Sequence, residues 1–116
     1  MKRWTLEELE EIAGYVVKRA KQRFLSKFYD VVQYDVEIIK SELPWNAWVI
    51  VRDKKTGKEV KRDFVTGLYM ELLSEVKKAL DLFEDMTGIE IHRTETYQKI
   101  SRELSEAEQC WREMTS

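Results

Sequence analysis

The stretch Ala47-Trp48-Val49-Ile50-Val51-Arg52-Asp53-Lys54-Lys55-Thr56-Gly57-Lys58-Glu59-Val60-Lys61-Arg62-Asp63-Phe64 decides the fold. Its opening is apolar on both faces, with Ala47, Val49 and Val51 on one and Trp48 and Ile50 on the other. That is the pattern of a strand that is central or covered twice. The charged run behind it contains Gly57, which can take the positive φ of a tight reversal, so the segment reads as a hairpin. With Val51 opposite Val60, the inner face holds Ala47, Val49, Val60 and Phe64. The outer face then holds Trp48, Ile50, Arg52, Glu59, Lys61 and Asp63, with Arg52 across from Glu59. A slip of one residue would exchange the two faces.

Working upstream, Val32, Tyr34, Val36 and Ile38 alternate with Gln33, Asp35 and Glu37, the signature of a half-buried strand. Ser41-Glu42-Leu43-Pro44 makes the turn between strands, because Pro44 interrupts pairing. Before this lies a strongly signalled helix, expected from about Leu6 to Ser26. Thr5 and Glu8 have capping-box spacing, and Trp4 with Leu9 has that of a hydrophobic staple. Leu9, Ile12, Ala13, Val16, Ala20 and Phe24 then form one apolar stripe.

Downstream, Thr66 is placed to cap a second helix whose buried stripe is Tyr69, Leu72, Leu73, Val76, Ala79, Leu80 and Phe83. Gly88 reads as its left-handed stop. Ile89-Glu90-Ile91-His92 is expected as a short strand. From about Glu95 to 114 the chain is helical again, and Tyr97, Ile100, Leu104, Ala107, Trp111 and Met114 recur as a heptad-like seam. Ser105 and Glu108 have capping-box spacing too, which would break that helix between Ser101 and Ser105. The expected fold is α+β: an antiparallel sheet of three or four strands in α-β-β-β-α order, with an additional C-terminal helix. The 116 residues read as a single domain, its core spanning about 5–92.

Composition narrows the function. Hydrophobic residues make up 43% of the chain, enough for a core, and charged residues 36%, above the ~25% usual for soluble domains. No apolar run approaches the ~18 residues of a spanning helix. The start, Met1-Lys2-Arg3-Trp4, lacks the apolar segment of a secretion signal, so a cytoplasmic location without membrane attachment is expected. The lone Cys110 cannot form an internal disulfide. Abundant Lys and Glu with a single Asn suits a thermophile.

Chemistry is thinly provided for. His92 is the only imidazole and Cys110 the only thiol; zinc needs about four such ligands. Gly57-Lys58 lacks the rest of a phosphate loop. Glu90 and His92 would share a strand face as a pH-sensitive pair. No catalytic residue, metal or cofactor is assigned, and the chain reads as leaning away from enzymes.

Two binding readings follow. In the first, the protein self-associates as a dimer, or binds a protein partner, through the C-terminal helix and one sheet face. Two helices can cover only one face of such a sheet, which leaves Trp48 and Ile50, joined by Val31 and Ile39, to be covered by the seam helix or by another chain. Trp48, Ile50, Tyr97, Ile100, Leu104 and Trp111 are the expected contact residues, the aromatic ones as anchors. Trp45 is expected in the core.

In the second reading, the protein contacts nucleic-acid phosphates. Lys18, Arg19, Lys21, Arg23 and Lys27 crowd the second half of the first helix, and Lys54, Lys55, Lys58, Lys61 and Arg62 surround the hairpin. The net charge is therefore positive over residues 1–65 and negative over 66–116. Lys18, Lys21, Lys54, Lys55 and Lys58 are the candidate phosphate contacts. A macrodipole preference for acid first and base last accounts for the helix without a ligand. A charged hairpin that guards a sheet edge accounts for the rest.

Over about residues 5–86 the α-β-β-β-α order resembles the double-stranded-RNA-binding domain. The resemblance implies two helices packed on one sheet face and a lysine cluster opening the second helix. Here that position reads Thr66-Gly67-Leu68-Tyr69-Met70-Glu71, without a lysine, so no binding residue is carried over from it.

Overall fold

The computed structural model describes residues 3–115. Helix α1 (Leu6–Leu25) leads into strands β1 (Tyr34–Lys40), β2 (Ala47–Asp53) and β3 (Glu59–Val65). Helix α2 (Leu68–Thr87), a 3-10 turn (Ile91–Arg93) and helix α3 (Glu95–Thr115) follow. The strands form one antiparallel sheet in the order β1-β2-β3. The α+β class and element order are those read from the sequence.

The capping box of α1 is formed: the Glu8 N–H donates to Thr5 Oγ1 at 3.1 Å, and the Thr5 N–H donates to Glu8 Oε1 at 3.0 Å. Gly88, at φ 73°, stops α2 by donating its N–H to the Glu84 carbonyl. The start of α2 differs from expectation. Thr66 does not cap it; Gly67, at φ 77°, stands at the cap and has no side chain to offer. Instead the Gly67 N–H donates to Asn46 Oδ1 at 2.8 Å, and the Tyr69 and Met70 N–H groups donate to the Trp45 carbonyl at 3.1 and 3.3 Å. Three amides at the helix start are thus satisfied from the β1–β2 connection, more than twenty residues away in sequence. Asn46 is buried for this purpose.

Strand β1 begins two residues later than its alternation suggests. Asp30 Oδ1 accepts the N–H groups of both Val32 and Gln33, holding residues 30–33 in a turn and leaving Val32 exposed. Tyr34, Val36 and Ile38 pack on the core from one side of the strand.

The β2–β3 register corrects the expected one. Val51 pairs with Lys61 rather than Val60, while Arg52 still pairs with Glu59. One residue, Val60, is therefore extra and bulges outward, 58% exposed. The loop explains the offset: Asp53 Oδ1 accepts the Lys55 and Thr56 N–H groups, and the Gly57 N–H donates to the Asp53 carbonyl at 2.8 Å, with Gly57 at φ 72°. Beyond the bulge the faces of β3 are exchanged. Phe64 lies outward beside Trp48, whereas Lys61, Asp63 and Val65 take the inner side. Asp63 accepts a hydrogen bond from the Tyr29 hydroxyl at 3.3 Å and pairs with Lys61.

The region 89–93 is a 3-10 turn, not a strand. Helix α3 is continuous, so the Ser105 and Glu108 spacing does not break it. It packs along α2, with smaller contacts to α1 and the 3-10 turn, and does not lie across the second sheet face as expected. Thr94 caps it, accepting the Tyr97 N–H at 3.1 Å while its hydroxyl donates to the Ile91 carbonyl. Leu72, Leu80, Val76 and Ile91 lie at the centre of a core shared by the three helices and the inner sheet face. The molecule is a plate, 48 × 44 × 21 Å, with a radius of gyration of 15.8 Å. A sphere-like domain of this length has about 13 Å. A plate only two layers thick leaves broad faces open.

Candidate functional site

The seam of α3 is used within the chain. Ile100 and Ala107 are buried, and Tyr97 and Leu104 pack on the core from its edge. Trp111 meets Trp45 edge to face, ring centroids 5.9 Å apart. Polar bonds fix the helix as well. The Tyr97 hydroxyl donates to Asp81 at 2.7 Å, the Tyr69 hydroxyl to Glu103 at 3.3 Å, and Glu10 accepts from both the N–H and the hydroxyl of Thr96. Burial, then the Glu103 carboxylate, push the Tyr69 phenol up to about 12. The bond to Asp81, then burial, raises that of Tyr97.

Among the described residues, no helix covers the outer face of the sheet in this way. By register, Ile39, Trp48 and Phe64 form one row across β1, β2 and β3. They are 40%, 39% and 47% exposed, and the Trp48 and Phe64 rings meet edge to face at 4.9 Å. The next row is Glu37, Ile50 and Arg62. Ile50 is buried there, between two long charged side chains. The third row brings Asp35, Arg52 and Glu59 together. Arg52 bonds Glu37 at 2.7 Å and Arg62 bonds Glu59 at 2.8 Å.

The six expected contact residues therefore divide. Trp48 and Ile50 both stand on the outer sheet face, Trp48 exposed and Ile50 buried in the next row between Glu37 and Arg62. Tyr97, Ile100, Leu104 and Trp111 lie on the opposite, helical side of the molecule, against α2 and Trp45. Sequence reading placed Ile39 on this face and missed Phe64; Val31, expected beside Ile39, packs against the core instead. Ile39 had a usable signal, since it breaks the alternation of β1 after Ile38. Phe64 had none without the bulge.

The basic residues converge in part. Lys54 Nζ donates to the Val31 carbonyl at 3.1 Å, only four residues beyond Lys27, so the hairpin tip and the basic end of α1 occupy one end of the molecule. Among the described residues, Lys18, Arg19, Lys21, Arg23, Lys27, Lys55 and Lys58 form no ion pair. Lys21 stands apart from Arg19 and Arg23. It lines the side of α1 that faces α3, near Lys99 and Glu103, whereas the two arginines line the opposite groove.

Catalytic groups do not gather. Cys110 and His92 stand at opposite ends of α3, which spans roughly 22 Å from Glu95 to Cys110. His92 does not pair with Glu90. Its Nδ1 lies 2.8 Å from Glu84 Oε1, which also accepts the His92 backbone N–H at 3.0 Å. That backbone bond, aided by the ring, lowers the Glu84 pKa. Among the described residues no three His, Cys, Asp or Glu side chains converge as metal ligands, and no helix is long and apolar enough to cross a membrane. At the start of α2 the Gly67 N–H is bonded to Asn46 and the Tyr69 and Met70 N–H groups to Trp45, so these three donors are already engaged within the chain. No family model, curated protein or solved structure matches the chain.

Proposed function

We propose that this protein is a non-enzymatic assembly module that pairs with a second copy of itself through the outer face of its sheet. The observation that carries the reading is the open aromatic row Ile39–Trp48–Phe64. Large apolar side chains in a contiguous exposed patch, rimmed by charge, mark contact surfaces in monomeric folds. The pattern also complements itself. A two-fold axis running parallel to the strands sets β1 of one copy over β3 of the other. The aromatic rows then meet, and Glu37 of each copy faces Arg62 of the other. The two sheets would stack about 10 Å apart with their strands nearly aligned.

The size of the face sets the strength. Three strands of about seven residues cover roughly 14 by 23 Å, well below the ~800 Å² per partner of a standard interface. Association through it is therefore weak and concentration-dependent. Sedimentation equilibrium tests it. The weight-average mass of the wild type should rise above 13.9 kDa with concentration, and Trp48→Glu should lower it throughout. A wild type that stays at one chain's mass, or a Trp48→Glu variant that associates unchanged, would sink the proposal.

A second reading is favoured by the bond from Lys54 to Val31, which brings two basic clusters to one end of the molecule. In it, Lys27, Lys55 and Lys58, with the nearby arginines of α1, contact nucleic-acid phosphates. Binding of random RNA and DNA should then weaken steeply with salt, and Lys55→Glu with Lys58→Glu should flatten that slope. Salt-independent binding would reject it.

A further inference from the structure

On the side of α1 away from α3, a groove of about 300 Å³ runs between α1 and α2, floored by Val16, Ala20, Ala79 and Phe83. Its rims carry Tyr15, Leu82 and Met86, which are 64%, 58% and 77% exposed. Arg19 and Arg23 flank it without an ion pair among the described residues. Tyr, Met and Arg are the residues enriched at protein contacts, while Lys and Glu are depleted there.

We infer that this helical face is a second contact surface, distinct from the sheet face, and that its occupant is another copy of the chain. The charge order of α1 selects that occupant. Glu11 and Arg19 lie four residues to either side of Tyr15, one helical turn each way. An antiparallel approach of two α1 helices about a two-fold axis beside Tyr15 sets Glu11 of each copy opposite Arg19 of the other. Both charged ends are matched in one arrangement. A uniformly acidic helix would match the arginines but would meet Glu11 as a like charge. An anionic membrane has the same defect and would not seat in a groove. Helix α3 already covers the opposite side of the α1–α2 pair, so a helix laid along these two is a geometry the fold accepts.

With two different self-complementary faces, the assembly can grow past a dimer, closing as a four-protomer particle when the axes are perpendicular and extending as a chain otherwise. The test is a charge swap read by sedimentation in a Trp48→Glu background, where the sheet face is disabled. That protein should still dimerise. Arg19→Glu alone and Glu11→Arg alone should each weaken dimerisation roughly tenfold, and Arg19→Glu combined with Glu11→Arg should restore it. Circular dichroism verifies that α1 stays folded in every variant. A Trp48→Glu protein that is monomeric at all concentrations overturns the inference, as does a double swap that fails to recover. It also falls if the groove proves to be filled from outside: if the Trp48→Glu protein stays monomeric while binding a synthetic Leu/Glu amphipathic peptide, the occupant is a foreign helix. Because the sheet face is absent from this experiment, failure here leaves the sheet-face dimer standing; a Trp48→Glu protein that associates as the wild type does removes the sheet-face dimer and supports this face, whereas a wild type that stays at one chain's mass removes both.

Discussion

The seam of α3 and the outer row of the sheet are alike in composition and opposite in fate. Each is a line of large apolar residues that includes a tryptophan. The seam is taken up within the chain, with Ile100 and Ala107 buried and Trp111 against Trp45. The row Ile39–Trp48–Phe64 faces outward with only its own rings for company. An apolar stripe states that something must cover it and does not say what. Here the 3-10 turn decides. The chain leaves α2 at Gly88, turns within a few residues and re-enters helix at Glu95. Such a short connection returns α3 antiparallel along α2 and leaves it no reach to the far side of the sheet.

The comparison can be broken most forcefully at the seam. Ile100→Ala removes a buried side chain from the α3 contact and should cost about 3 kcal/mol, seen as a lower urea midpoint with an unchanged slope. A negligible loss would mean that α3 is not docked within the chain. Next comes the joint between the two regions. Asn46→Ala leaves the Gly67 N–H without its acceptor and should cost about 2 kcal/mol. Asn46→Asp, which keeps an acceptor oxygen, should recover part of that loss. On the open face, Trp48→Thr should change monomer stability by less than about 1 kcal/mol while reducing association. A loss comparable to that of Ile100→Ala would show that the face is covered after all.

The smallest effect concerns the polar edge of the seam. The folded state holds the Tyr69 phenol protonated, its pKa raised from 10.0 to about 12 by burial and Glu103. That contribution is complete below pH 10 and disappears as pH climbs through about 12. Thermal melts of Tyr69→Phe between pH 9 and 12 should therefore fall less steeply than those of the wild type. Tyr97, raised in the same direction by Asp81 and burial, keeps part of the slope in both proteins. Identical slopes would remove Tyr69 from the account.

What could be read directly from the residues was local. The Thr5–Glu8 box, the Gly88 stop, the turn at Ser41–Pro44 and the apolar stripes of the three helices each depend on side chains a few positions apart. Their spacing alone fixes the α-β-β-β-α-α order. Three matters needed the assembled molecule. The register of β3 turned on one bulged residue, Val60, because a period of two reverses every side chain for a single insertion. The cap of α2 came from Trp45 and Asn46, remote in sequence, so Thr66 in the right position was passed over. The partner of the α3 seam was settled by which apolar surface the chain could reach first. In each case local patterning specifies that a group must be satisfied or buried, whereas the identity of the group that does so depends on distances that exist only after the layers have packed.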